Sequence, residues 1–400
     1  MKDLKDWKWL LKKYNLLSLF ICTFFTTLVA QNNYLSKTKE NILNYSYEKA
    51  IQDSKNLQND WINPITYKYM YTNTETYNTT KSIISISQPI FKSGRIYYSI
   101  KYAKSVKSKT NRDIDIQKKE LIKQTINLLF QIQQINITVK KQKLLVKNAL
   151  LDVERKKEQV LNGILDTSFL DNSILDLNVN RNSLIDLEYQ KTTFINNLSK
   201  LSDKKYNELE LPVLTLLDHN NYMTKNIYIK KVQDDINVGY WLKNMTRSSY
   251  LPTINFTVDY TKYHDTNNYA ELSKDSTKNY GFNITIPLDI KYSYDIESSK
   301  IEYLKIKASL HDKRREEKII FENSLAKIES LNKKIIIAKN DINLYDSLTT
   351  QIQEQLNVGM KTKSDLETIQ NSKKIKNLEI ESINIDKQIE LLEIYYRMEI

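Results

Sequence analysis

From Arg95 to Asn162 the chain runs for 68 residues without a proline or a glycine. At about 1.5 Å per residue a helix of that length reaches about 100 Å, more than a compact domain can enclose. Apolar residues recur along it every seven positions at Ile132, Val139, Val146, Val153 and Val160, with Leu128, Ile135 and Ala149 each three residues on from the preceding position of that register. A second stripe passes through Ile137, Leu144 and Leu151. A sustained seven-residue repeat implies supercoiled helix packing, and two stripes imply a neighbour on each side. Gly163 then offers a turn, and the helical pattern resumes to about Ser202. The object is a long helical hairpin.

It occurs twice. A second proline-free stretch runs from Leu288 to the C-terminus, broken only by Gly359. Its heptad residues are Ile328, Ile335, Ile342 and Leu356, with Leu331, Ala338, Tyr345 and Ile352 between them. Pro89 and Pro287 lie 198 residues apart, and Gly163 and Gly359 lie 196 apart. Each half reads helix, strand, loop, strand, long helix, glycine turn, helix, which is an internal duplication. The first repeat is predicted over 31–203, with a β-hairpin at 61–91 and a helical hairpin whose tip is near 163. An irregular linker follows at 204–217. The second repeat spans 218–400, with a β-hairpin at 250–290 and a tip near 359.

The strands are read from period-two alternation. Ile65, Tyr67, Tyr69 and Tyr71 alternate with polar residues, as do Ile84 and Ile86 before Pro89. Polar loops are expected over 72–80 and 264–278. In the second half Ile254, Phe256, Val258 and Tyr260 alternate, then Tyr280, Phe282, Ile284 and Ile286 before Pro287. Each strand thus has one apolar, aromatic face and one polar face. Four strands are too few to close a membrane barrel, and left open their edges would aggregate. They must meet copies of themselves, with the apolar face toward lipid and the polar face toward water. Tyr67, Tyr69, Ile84, Ile86, Phe256, Val258, Phe282 and Ile284 are the predicted lipid-facing residues. Tyr71, Tyr77, Tyr260, Tyr263 and Tyr280 fit an aromatic girdle. A soluble sheet packed on the helices is the rival arrangement.

Composition narrows the function. A chain of 400 residues with only 5 Gly and 5 Pro must consist mostly of long uninterrupted elements. A mean hydropathy of -0.54 and 27% charged residues exclude a helical multispan membrane protein. The net charge is +12, but Lys is scattered along helical faces among Glu and Asp, which favours a solvated surface over nucleic-acid binding. The single cysteine, Cys22, forbids an intrachain disulfide. His219, His264 and His311 have no ligand-like neighbours, no phosphate loop or nucleophile–base motif appears, and neither enzyme activity, a cofactor nor a metal is expected. Lysines in residues 1–15 precede an apolar run from Leu16 to Ala30, the pattern of a signal peptide over 1–30. Ile21 before Cys22 is too large for a lipoprotein signal.

Two segments carry a family resemblance. Ser87-Gln88-Pro89-Ile90-Phe91-Lys92-Ser93-Gly94-Arg95 and Leu356-Asn357-Val358-Gly359-Met360-Lys361-Thr362-Lys363-Ser364-Asp365-Leu366 resemble the strand-to-helix segment and the hairpin tip of TolC-like outer-membrane factors. Leu161-Asn162-Gly163-Ile164-Leu165-Asp166-Thr167-Ser168 is a looser match to the same tip. With the duplication, the resemblance covers essentially the mature chain. It implies an α+β membrane protein in which long antiparallel helical hairpins form an α-barrel. Four strands from each subunit of a homotrimer would make a twelve-stranded barrel in the outer membrane, with the helices forming a tunnel across the periplasm. The implied function is the outer-membrane channel of a tripartite efflux or type I secretion system. The implied partners are outer-membrane lipid, a periplasmic adaptor and an inner-membrane pump of RND or ABC type. Asp365 matches an acidic position lining the constriction at the periplasmic tip. The family often has a second Asp three residues later; here Thr368 stands there, with Glu367 one residue away. Lys361 matches a basic position that ties neighbouring helix pairs in a closed state, with Asp166 or Ser168 as partner. The turns at Gly163 and Gly359 are the expected adaptor contact. Alternatives are a periplasmic adaptor, which should have one hairpin within a glycine-rich β module, and a structural coiled-coil envelope protein, which duplicated strand hairpins disfavour.

Overall fold

The computed structural model describes residues 34–73, 75, 78–267 and 275–399. The predicted signal peptide with Cys22, and Tyr77 of the expected girdle, lie outside the described residues. In order the elements are α1 (Lys37–Asn59), β1 (Thr66–Asn73), β2 (Asn78–Phe91), α2 (Arg95–Leu161), α3 (Thr167–Ser199), a 3-10 turn at Tyr206–Glu208, α4 (His219–Lys225), α5 (Ile227–Ser248), β3 (Thr253–Asn267), β4 (Ser276–Thr285), α6 (Tyr292–Asn357) and α7 (Lys363–Tyr395). The duplication is visible in the lengths: α2 has 67 residues and α6 has 66, while α3 and α7 have 33 each.

The four strands form one antiparallel sheet in the order β1-β2-β3-β4. Pairing extends further toward the connecting loops than alternation predicts, to Asn73–Asn78 and Lys262–Ser276. The strand ends there are rich in Thr, Lys and Tyr, polar residues that read as loop although Thr and Tyr suit a pleated backbone. The β2–β3 ladder has irregularities at Thr80/Lys81 and Pro89/Phe91. The second falls where Pro89, which has no N–H, cannot continue the ladder. One edge of β1 and one of β4 have no strand neighbour among the described residues.

The one helix expected to open the second repeat is instead two, α4 and α5, broken at Asn226. Asn226 is extended (φ -63°, ψ 120°) and forms an isolated antiparallel bridge with Met398. That partner is far away in sequence, so local pattern could not anticipate it.

Two compact units are present, and they do not follow the sequence repeats. One is assembled from Gln117–Asn226 and the chain from Glu317 onward, with the segment ending at Ile42; the other comprises Leu43–Ile116 and Ile227–Glu316. Each takes material from both halves of the duplication, because the long helices pass from one unit into the other. The first unit has a core of Ile126, Leu129, Phe130, Ile132, Leu198, Ile385 and Leu392. Ile132, Ile135, Ile137 and Val139 of the repeating stripes are buried, whereas Val146, Val153 and Val160, nearer the turn, are only half-buried. Val179, Ile185 and Tyr189 on α3, and Ile336, Ile337 and Leu344 on α6, are exposed in the single chain. These are apolar stripes with no cover of their own. In the second unit, Ala50 of α1 and Ala103 of α2 are buried, and the Ser54 hydroxyl donates to the Ala103 carbonyl at 3.2 Å. Ion pairs Lys109–Asp235 and Lys231–Asp113, both 2.7 Å, tie α2 to α5.

The first unit also holds a buried charge. The Glu317 side chain has no solvent exposure. It accepts hydrogen bonds from the Tyr222 hydroxyl at 2.8 Å, from Asn226 Nδ2 at 2.9 Å and from Arg397 Nη1 at 3.0 and 3.2 Å. Burial, then the hydrogen bond and charge of Glu317, push the Tyr222 phenol well above its ordinary range, so it remains a donor. Tyr222, Phe321, Ile394 and Met398 pack around the group. The Glu399 N–H donates to the Lys225 carbonyl at 2.7 Å, and the Lys119 ammonium donates to the Met398 carbonyl at 2.7 Å. The last described residues are thereby fixed to α2, α4 and α6.

Candidate functional sites at the hairpin turns and on the sheet

The two glycine turns are the same structure built twice. The Gly163 N–H donates to the Val160 carbonyl (2.9 Å) and the Ile164 N–H to the Gln159 carbonyl (2.8 Å). The Gly359 N–H donates to Leu356 (3.0 Å) and the Met360 N–H to Gln355 (2.8 Å). Each is the paired bonding by which a helix end satisfies its last carbonyls through a left-handed residue. Gly163 has φ +70° and Gly359 has φ +79°, where any Cβ meets its own backbone. Leu161, Ile164, Val358 and Met360 stand exposed around the turns.

The next helices start at equivalent caps. The Asp166 carboxylate accepts the Ser168 N–H at 2.8 Å and caps α3. Thr362 caps α7 in a reciprocal box: its hydroxyl accepts the Asp365 N–H at 3.2 Å, and the Asp365 carboxylate accepts the Thr362 N–H at 3.1 Å. Asp365 also accepts from Arg155 Nη1 of α2 at 3.3 Å. The backbone hydrogen bond from Thr362 holds the Asp365 carboxyl below its ordinary range, aided by the Thr362 hydroxyl and the charges of Lys361 and Arg155. Glu367 pairs with Lys147 of α2. Asp365 and Glu367 are therefore both drawn to α2 within one chain. Asp166 is engaged as a helix cap, and the charge of Lys361 acts on Asp365. Sequence reasoning missed Arg155 and Lys147 as partners of the acidic pair. It also passed over a visible signal, since Thr362-x-x-Asp365 is itself a capping-box pattern. A neighbouring cluster joins α2 to α3: the Ser173 hydroxyl donates to Asp152 at 3.0 Å, and the Lys156 ammonium lies 3.1 Å from Asp152 and donates to Ser173 at 2.7 Å. Burial pushes the Asp152 carboxyl up, but hydrogen bonds from Lys156, Ser173 and Arg155 outweigh it and hold it below the usual range.

On the sheet, the register decides which residues share a face, because side chains alternate along each strand. Tyr67 pairs with Ile84, and Ile84 with Tyr260. Ile86 pairs with Val258, Val258 with Tyr280, Phe256 with Phe282, and Ile254 with Ile284. All eight residues expected to face lipid lie on this one face, as do Tyr71, Tyr260 and Tyr280 of the expected girdle. Tyr263, opposite Lys81, lies on the other face. That face carries Asn255, Thr257 and Asp259 on β3 with Asn279 and Asn283 on β4. Phe282 is 71% exposed and Tyr280 81%, so no element among the described residues covers the apolar face at β4. Among the described residues no helix is long and apolar enough to cross a membrane, and no cluster of His, Cys, Asp and Glu could hold a metal ion.

No protein-family model matches the sequence, and no curated protein matches it. Solved structures do match. The Campylobacter jejuni CmeC outer membrane channel is 12% identical with a TM-score of 0.72, over 91% of this chain and 83% of that one. The outer membrane protein VceC from Vibrio cholerae is 10% identical with a TM-score of 0.70, over 88% of this chain and 91% of that one. The Neisseria gonorrhoeae MtrE outer membrane channel, in its open state, is 12% identical with a TM-score of 0.60, over 94% of this chain and 88% of that one. Long paired helices and one four-stranded antiparallel sheet, matched across nearly the whole length of both partners, give this chain the fold of these outer membrane channels.

Proposed function

We propose that this chain is one subunit of a TolC-like outer-membrane factor, a homotrimeric channel spanning the outer membrane and extending into the periplasm. The observation that carries this reading is the sheet: four antiparallel strands with one uncovered apolar face, one polar face and two unpaired edges. Three copies joined β1 to β4 would close it into a barrel with lipid outside and water within. The uncovered stripes on α3 and α6 supply what neighbouring subunits would bury in a helical tunnel. Residues 1–30 would direct export. The channel would work with a periplasmic adaptor and an inner-membrane pump in efflux or type I secretion, transporting its cargo rather than transforming it.

The tip is the proposed gate. Asp365, with Glu367 beside it, would line the constriction, repeated by threefold symmetry. Lys361 would reach Asp166 or Ser168 of a neighbouring hairpin in the closed state. The turns at Gly163 and Gly359, with the exposed apolar residues around them, would receive the adaptor. Membrane fractionation followed by native mass in detergent tests the whole reading. The expected result is a carbonate-resistant outer-membrane protein of three subunits. A soluble monomer would overturn it and return the strands to a soluble sheet.

A further inference from the structure

The apolar face of the sheet carries charge at one end only. Among the described residues its one acidic strand position is Asp265, opposite Thr80 at the same end. Its three basic side chains, Lys262, Lys278 and His264, all lie toward the loop end, away from the helices. Lys278 stands opposite Tyr260, and Lys262 opposite Ser82 on one side and Ser276 on the other. His264 sits at the irregularity between Tyr263 and Asp265. Its side chain reaches this face: Nε2 is 2.7 Å from the Ser82 hydroxyl, and the ring stacks obliquely on Tyr69 at 5.9 Å between centroids. The Tyr67 hydroxyl lies 3.0 Å from the same Ser82 oxygen. The two ammonium groups are exposed.

We infer that this patch binds the phosphate groups of anionic lipid in the outer leaflet. The proposal rests on the barrel reading, which puts the loop end at the external surface. From Ile254 to Lys262 is eight residues, about 26 Å along the strand, and at the tilt usual for such barrels about 20 Å along the membrane normal. The cations thus stand where an apolar band ends and headgroups begin. Tyr67 and Tyr260 share the rung of Lys278, Tyr69 shares that of Lys262, and Tyr280 lies one rung inward, an aromatic layer with apolar bodies and polar tips. Asp265 is the one carboxylate position on this face among the described residues, against two ammonium groups and an imidazole. Cations at that depth attract phosphates across a medium that screens them poorly. The hydroxyls of Ser82 and Tyr67 and the imidazole of His264 add donors beside them.

The test uses the full-length channel extracted in detergent. Native mass spectrometry would titrate it with lipid A bearing two phosphates, with the same lipid dephosphorylated, and with lipid A in competition with inorganic phosphate. The double variant Lys262→Gln/Lys278→Gln should hold the phosphorylated lipid about 30-fold more weakly than the parent. The dephosphorylated lipid should bind the parent with a comparable deficit. The variant Lys262→Arg/Lys278→Arg should retain binding, which separates charge from misfolding. Inorganic phosphate should not displace the lipid. Equal retention by parent and Gln variant, undiminished binding of the dephosphorylated lipid, or displacement by inorganic phosphate would overturn the site while leaving the barrel standing. A soluble monomer would overturn the barrel and the site with it.

Discussion

Replacing Arg397 with Met removes two charge-assisted hydrogen bonds from a carboxylate that has no access to solvent. Glu317 keeps Tyr222 at 2.8 Å and Asn226 at 2.9 Å, so it is not left bare. It loses the guanidinium at 3.0 and 3.2 Å. Breaking a buried ion pair from one side costs about 3–5 kcal/mol; the two retained donors argue for the lower end, about 3 kcal/mol. At about 2–4 °C per kcal/mol, the apparent melting temperature in detergent should fall by about 6–12 °C. The pH dependence identifies the cause. Without Arg397, the folded protein gains by protonating Glu317, so above the ordinary glutamate range it binds more protons than the unfolded chain. The variant's deficit should therefore grow as pH rises and shrink on acidification, by up to about 1.4 kcal/mol per unit. Thermal unfolding of parent and variant at about pH 5 and about pH 7.5 measures this. The double variant Glu317→Gln/Arg397→Met, which removes both charges, should recover most of the loss. A deficit of the same size at both pH values, unrelieved in the double variant, would refute the charge argument and assign the loss to packing of the arginine stem.

The remaining predictions concern the tip. Gly359→Ala should cost about 1–2 kcal/mol from its positive φ alone, since no neighbouring atom lies within 4 Å of the new Cβ; a loss above about 3 kcal/mol would mean a contact the geometry does not contain. Gly163→Ala should cost the same and add independently, as thermal melts of the single and double variants can check. Asp365→Ala should raise single-channel conductance or relieve cation block in planar bilayers, and unchanged values would leave Asp365 as a helix cap only. Asp152, Asp166 and Asp365 are all held below the ordinary carboxylate range. Their stabilisation is present above that range and lost as pH falls through the depressed values. The first turns of α3 and α7 should therefore exchange amide hydrogens faster at about pH 3 than at neutrality, after correction for intrinsic rates; uniform protection would refute it.

Those features written in periodic patterns could be read from the sequence. Alternation at Phe256, Val258 and Tyr260 is a local signal, and the ladder places these residues where that signal puts them. The turns at Gly163 and Gly359 were equally legible, because a lone glycine between two long helical patterns has few other uses. The interruption at Asn226 was not, because it depends on a bridge to Met398. Nor was the Glu317 cluster, whose other members lie 80 to 95 residues from Glu317 and share no motif with it. At the turn Asp365 and Glu367 were singled out, and their partners on α2 were not. Arg155 and Asp365 lie 210 positions apart and meet only because two helices turn alongside each other. Lys278 falls in the stretch read as a loop, and only the register puts it beside Lys262 on the apolar face.

The unpaired edges of β1 and β4 have a genetic consequence. If three chains close the sheet together, a subunit unable to offer one edge does more than lose its own activity. It enters assemblies with sound copies and leaves their strands open. In a cell making equal amounts of sound and edge-defective chains, random mixing would leave about one trimer in eight free of the defect. A proline placed in the outward ladder of β4 should therefore act dominantly, depleting channels far beyond the half expected from dosage. A lesion that prevents the chain from folding at all should be recessive, because it never joins the ring.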